Sequence, residues 1–168
     1  AGLGAGALPA VTWLQINGMH VGDTGTSALA AALGQGALPR LKILGLYNAA
    51  IGDAGLVALA PALRQRPALE RLYLQHNPFG DEGLVALVAP PPPPAGAPPP
   101  PAAGLAKLKL LFLYDTQVTD AGCATLVAVL DSGALPALKS VSLDGVPAGA
   151  AAKAAVEEAL ERSKAVAP

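Results

Sequence analysis

Leu41-Lys42-Ile43-Leu44-Gly45-Leu46-Tyr47-Asn48-Ala49-Ala50-Ile51-Gly52-Asp53-Ala54-Gly55-Leu56 returns 28 residues later as Leu69-Glu70-Arg71-Leu72-Tyr73-Leu74-Gln75-His76-Asn77-Pro78-Phe79-Gly80-Asp81-Glu82-Gly83-Leu84. It returns again as Leu108 through Cys123. The shared pattern is L-x-x-L-x-L, an Asp seven positions after the last Leu, and a Gly two beyond the Asp. A repeat of this length predicts stacked units, a solenoid, in place of one closed globular core. The last apolar residues of each L-x-L, Ile16, Leu46, Leu74, Leu113 and Leu143, lie 30, 28, 39 and 30 positions apart. The long step matches the others once roughly 10 inserted residues are removed, and the insertion is visible as two proline runs, 90–94 and 98–101. Gly6-Ala7-Leu8-Pro9, Gly36-Ala37-Leu38-Pro39 and Gly133-Ala134-Leu135-Pro136 stand just before strands and support the same register.

Each unit reads as strand, turn, helix. The L-x-L core alternates with the period of two that suits a strand. Asp23, Asp53, Asp81 and Asp120 fit helix N-caps, each carboxylate accepting N–H groups of its own helix's first turn. Apolar residues then follow at helical spacing, as in Leu56, Leu59, Ala60 and Leu63. The Gly after each Asp (Gly25, Gly55, Gly83, Gly122) is expected to let helix and strand approach closely.

These residues resemble the leucine-rich repeat family, in the long-repeat form of ribonuclease inhibitor and of NOD-like receptors. The resemblance covers about residues 8 to 160. It implies an α/β solenoid of about five repeats, with a curved parallel sheet on the concave side and helices on the convex side. The repeats are expected at about 8–37, 38–67, 68–104 (with the proline-rich insertion at 89–104), 105–134 and 135–168, in a single domain spanning 1–168. The chain departs from the family in its turns. The usual Asn survives only as Asn77, with Met19, Ala49, Thr116 and Val146 in that place, so looser turns are expected. The fifth unit has Ala150 where the Asp belongs, which suits a terminal repeat. Its final segment, 148–167, reads as a capping helix with i,i+4 pairs Lys153–Glu157 and Glu158–Arg162. No matching cap stands before Trp13.

Composition narrows the function. The chain has 168 residues and is 52% hydrophobic but only 4% aromatic, so its core is Ala, Leu and Val. A net charge of −1 leaves no basic field for a phosphate backbone, which argues against nucleic-acid binding. The single cysteine, Cys123, excludes an intramolecular disulfide and sits at an inward helix position. Residues 83–106 carry no charge, but nine prolines among them prevent a membrane-spanning helix. Residues 1–19 lack the basic start of a signal peptide. The chain begins at Ala1, which leaves room for upstream repeats or a removed organelle presequence. An intracellular setting is favoured.

The resemblance places residues between the inward leucines on the concave face. Five of the six aromatics fall there: Trp13, Tyr47, Tyr73, Phe112 and Tyr114. Only Phe79 takes an inward position, with Ile51 and Val118. Aromatics serving the core would point inward, so this distribution predicts a contact surface for one or more protein partners. Arg71, Lys42 and Lys109 are expected to orient the partner. The competing explanation is that strands favour aromatics whether or not they bind anything. The proline runs offer a second surface, a polyproline II rod suited to SH3- or WW-type domains, or they are a tolerated loop expansion. Membership of a large assembly, docked by the first unit and the proline-rich loop, is the alternative function.

No enzyme is expected. His20 and His76 lie on different units, no set of residues has metal-ligand spacing, and Gly2-Leu3-Gly4-Ala5-Gly6 follows no strand. No cofactor is expected. GTPase-activating proteins for Ran share the repeat form, but no residue here is singled out for that chemistry.

Overall fold

The computed structural model describes residues 8–89 and 104–166. Five strand–helix units follow one another. They are β1 (Trp13–Gln15), α1 (Gly22–Gly34), β2 (Ile43–Gly45), α2 (Asp53–Arg64), β3 (Arg71–Tyr73), α3 (Asp81–Val88), β4 (Leu110–Phe112), α4 (Asp120–Asp131), β5 (Ser140–Ser142) and α5 (Ala150–Val166). The strands form one parallel sheet in sequence order, and neighbouring helices pack on one another behind it. Trp13, Ile43, Arg71, Leu110 and Ser140 share one register position, and Gln15, Gly45, Tyr73, Phe112 and Ser142 share another. The proline-rich insertion lies outside the described residues.

The L-x-L alternation does what period two requires. Leu44, Leu72 and Leu111 point inward between the outward pairs and are buried, as are Leu46, Leu74 and Leu113. The helices return Leu56, Leu59, Leu63, Leu84 and Leu126 to the same core. Each such leucine contributes about 1.5–3 kcal/mol on burial. Phe79, Ile51 and Val118 fill inward positions as expected, and Cys123 packs beside them. Unit one is different: Val11, Leu14, Ile16 and Val21 are only partly buried against the core.

Helix α3 is the shortest, at 8 residues. Its end follows from chemistry. Ala89 precedes Pro90, and the proline ring forces the preceding residue out of the helical region; Ala89 sits at φ −111°, ψ 97°.

The aspartates correct the local capping expectation. Each is the first residue of a helix or lies just inside it, and its carboxylate serves the next unit. Asp23 Oδ1 accepts from Gly52 N at 2.8 Å and Gly55 N at 3.0 Å. Asp53 Oδ1 accepts from Gly80 N at 2.8 Å and Gly83 N at 2.7 Å. Asp81 Oδ1 accepts from Thr119 N at 2.8 Å and Gly122 N at 3.1 Å, and Asp120 Oδ1 accepts from Gly149 N at 2.6 Å. The cap therefore crosses the unit boundary. The paired glycine makes room for that carboxylate, not for a strand: a Cβ on Gly55 would lie 2.5 Å from Asp23 Oδ1, and one on Gly122 would lie 2.4 Å from Asp81 Oδ1. Of the four helices whose first turn holds these aspartates, only α4 has a side-chain cap of its own, Thr119 Oγ1 accepting from Ala121 N.

Asn77 supplies the turn. Its Oδ1 accepts from Ala49 N and Ile51 N at 3.0 and 3.1 Å, and its Nδ2 donates to Leu46 O and Leu74 O at 2.8 Å each. One buried amide thus ties unit two to unit three. In the next unit Thr116 Oγ1 donates to Leu113 O at 2.7 Å and replaces part of that function.

The last helix forms where expected, but its charged side chains take other partners. It runs Ala150–Val166 and packs on α4 as the helix of unit five. Lys153 and Arg162 do not take the expected i,i+4 partners. Lys153 Nζ donates to Val146 O at 3.1 Å, and Arg162 pairs with Asp131 on α4 at 3.1 Å. Arginines also cross units at the helix C-termini: Arg66 Nη2 donates to Leu33 O and Arg64 Nη1 to Ala86 O.

Candidate protein-binding face

The outward face of the sheet carries the aromatics in adjacent rows. Tyr73 and Phe112 occupy the same register position on β3 and β4. Their rings stack with centroids 4.6 Å apart and planes 4° from parallel, and both remain partly exposed. Two residues beyond them along the strands come Tyr47, Gln75 and Tyr114. Tyr47 is 37% exposed. Tyr114 meets the His76 ring edge-on at 5.0 Å. Trp13, in the row of Ile43 and Arg71, is 60% exposed on β1. The structure brings Tyr73, Phe112 and Tyr114 together on neighbouring strands; Trp13 stands apart on the edge strand.

Gln75 is the exception in this row. It is only 6% exposed, and its Oε1 has no hydrogen-bond partner among the described residues. The alternation puts Gln75 outward, and the repeat register puts Tyr47 and Tyr114 at the matching positions on both neighbouring strands.

A turn residue beyond each strand sets the exit rim. Gly18, Asn48, His76, Asp115 and Gly145 all adopt left-handed backbone, with φ between 51° and 67°. Glycine is unstrained there, and Asn, His and Asp are among the side chains that tolerate it best. This shared turn places His76 Nδ1 3.3 Å from Asp115 Oδ2.

The opposite rim, where the chain enters the strands, is cationic. Lys42 and Lys139 are exposed, Arg71 begins β3, and Lys109 Nζ meets Glu70 Oε2 at 2.8 Å. The hydrogen bond from Lys109, with Lys109, Lys42 and Arg71 as surrounding cations, holds the Glu70 carboxyl below its ordinary value. Lys139 belongs to this rim, at the repeat position of Lys42 and Lys109, each four residues before the aligned leucine. The ladder hydrogen bond from Lys139 N to Lys109 O holds the two side by side.

Cys123 and His76 do not converge. Cys123 is fully buried, and burial, with Asp120 and Asp81 nearby, pushes its thiol pKa up. It is thus shut off from the surface that carries His76. Among the described residues no three metal-ligating side chains cluster, and no helix is long and apolar enough to cross a membrane. A cavity of about 260 Å³ lies between β5 and α5, lined by Ser140, Ser142, Asp144, Lys153 and Glu157 among others.

A family profile described as Leucine Rich repeat matches residues 67–88, which is β3, its turn and α3. The structure is similar to a solved structure titled Leiomodin-1 Actin-Binding Site 2, with a TM-score of 0.66 at 17% identity, over 93% of this chain and 82% of that one. Identity that low establishes the fold alone. A search of curated protein sequences finds no match. The matched unit, the fold likeness over nearly the whole chain and the five-stranded open parallel sheet identify an α/β leucine-rich-repeat solenoid of about five repeats.

Proposed function

We propose that this chain is a non-enzymatic module that binds another protein through its concave, aromatic-bearing face. The observation that carries the reading is the stacked, partly exposed Tyr73–Phe112 pair at the middle of the sheet, with Arg71 beside it. Rigid aromatics offer large contact area at small conformational cost, and Arg adds directional hydrogen bonds, which is why both concentrate at interface hot spots. Tyr47, Tyr114 and Trp13 extend the surface, and Lys42 and Lys109 orient the partner. Repeat folds of this kind are generally protein-binding modules, and the solved neighbour is by its title an actin-binding site. We assign the repeats to the long, ribonuclease-inhibitor-like form on the strength of their 28–30-residue steps, and we treat residues 1–168 as one domain because the five units share one apolar core.

The test is partner affinity after Tyr73→Ala with Phe112→Ala, against Val57→Ala with Val85→Ala on exposed helix positions. A loss of at least tenfold for the concave pair, with the helix pair unchanged, supports the reading. Equal affinity for wild type and the concave pair removes it.

Unit one motivates a second reading, a subunit of a larger assembly. Trp13, Met19 and Leu8 are exposed there, and Leu14 and Ile16 are only partly buried. A partner covering these residues would complete the core at that end. In that case Trp13→Ala with Met19→Ala would release the chain from the assembly, measured as a shift in native size.

A further inference from the structure

The charges on the concave side are sorted along the strand direction. The entry rim holds Lys42, Arg71, Lys109 and Lys139 against a single acid, Glu70. The exit rim holds Asp115 and Asp144. A whole-chain charge of −1 conceals this arrangement. Among the described residues Lys42, Arg71 and Lys139 have no carboxylate at ion-pair distance; only Lys109 does.

Glu70 reports what such a rim does to an anion. It is one carboxylate between cations of its own strand and of both neighbouring strands, and its acidity is raised chiefly by the Lys109 hydrogen bond. A carboxylate from outside, placed beside Arg71 or between Lys109 and Lys139, meets the same kind of field with fewer competing acids. An acid displaced to the exit rim instead meets Asp115 and Asp144, whose like charge repels it.

We infer that the partner presents an acidic peptide segment, laid across the strands along the entry rim, with an apolar side chain seated on the Tyr73–Phe112 stack. This rests on the concave-face reading above and adds the partner's chemistry and orientation to it. Adjacent strands are roughly 4.8 Å apart, so Lys42 to Lys139 spans about 14 Å, and an extended chain covers that in four to five residues. The aromatic stack lies in the middle of this span, on β3 and β4. The matching segment is therefore short: acidic residues flanking one apolar residue. The charges supply orientation and on-rate, and the stack supplies most of the burial.

The probe is a labelled synthetic peptide of about twelve residues, Glu-rich with one central Phe, followed by fluorescence anisotropy on the full chain. Its Gln-for-Glu counterpart and a single-stranded oligothymidine of similar length serve as comparisons. The Glu peptide should bind at least tenfold tighter than the Gln peptide, and the gap should shrink as salt rises from about 50 to 300 mM, because exposed charges are screened. Arg71→Glu with Lys139→Glu should weaken the Glu peptide at least tenfold. Lys164→Glu, on α5, should leave binding unchanged. Circular dichroism checks that the charge variants fold.

No binding of the Glu peptide overturns the inference, and so does tighter binding of the oligothymidine. If the Gln peptide binds as well as the Glu peptide while Tyr73→Ala with Phe112→Ala weakens both, the acid preference is wrong and the concave reading stands. If that aromatic double variant binds the Glu peptide like wild type, the concave reading itself fails.

Discussion

Asp53→Ala removes one carboxylate and tests whether the solenoid is held together across its unit boundaries. In the structure Asp53 Oδ1 receives two N–H groups from the start of α3, Gly80 at 2.8 Å and Gly83 at 2.7 Å. Hydrogen bonds to a charged group contribute about 1.5–3 kcal/mol each, but these two share one acceptor and are only partly buried, so their joint effect is nearer the lower end of the sum. The negative charge at the start of α3 adds about 0.3–1 kcal/mol through the helix dipole. The expected destabilisation is about 2–4 kcal/mol, a large share of the roughly 5–15 kcal/mol that holds a domain folded. Urea denaturation followed by circular dichroism reads it as a lower midpoint. Asp131→Ala is the control: Asp131 also loses an ionic partner, Arg162, but that pair is exposed and should contribute no more than about 1 kcal/mol. Asp53→Asn keeps an acceptor oxygen without the charge and should fall between the two. Amide exchange should locate the loss in α3. If Asp53→Ala costs no more than Asp131→Ala, the inter-unit cap contributes nothing special and the reasoning is wrong.

Three further outcomes follow from the same contacts. Asn77→Ala strands the N–H groups of Ala49 and Ile51 and the carbonyls of Leu46 and Leu74, all buried, and should cost about 3–5 kcal/mol by thermal or urea melt; a cost under about 1 kcal/mol would mean water replaces the amide freely. The Glu70 pKa is depressed in the folded chain, so the pair with Lys109 stabilises above the ordinary carboxylate pKa, and that contribution is lost as pH falls from about 4.5 through the folded value. Glu70→Gln should therefore flatten the acid limb of a stability-versus-pH curve, and an unchanged limb counts against the pairing. Cys123 is fully buried with a raised thiol pKa, so an aromatic disulfide reagent should label it only as fast as the chain unfolds; rapid labelling of native protein would mean α4 opens locally.

The sequence revealed what depends on periodicity along a single unit. The inward leucines, the strand positions, the start of each helix and the outward aromatics all follow from spacing. It concealed which side-chain contacts form between neighbouring units. Asp53 and Gly83 read as a cap and a small residue serving separate helices, because an N-cap rule considers only the next three residues. Their contact exists only once units are stacked. Gln75 likewise reads as an exposed polar residue, and it is buried because its row neighbours are Tyr47 and Tyr114. Lys153 and Arg162 read as partners within α5, yet the better partners belong to Val146 and to Asp131 on α4.

This division also indicates where specificity can reside. In the inward rows the units are nearly interchangeable: Leu14, Leu44, Leu72, Leu111 and Val141 in one, Ile16, Leu46, Leu74, Leu113 and Leu143 in the next. Stacking demands it, because each residue packs on its own copies in the units beside it, and the Asp–Gly contacts demand the same of their positions. The outward rows at identical register show no such uniformity. Trp13, Ile43, Arg71, Leu110 and Ser140 are five different residue types, and Gln15, Gly45, Tyr73, Phe112 and Ser142 repeat none within the row. Stacking has no requirement there beyond a side chain that tolerates a strand. Residues that the fold leaves free, and that combine a ring stack with a line of cations, are where the proposed partner would be recognised.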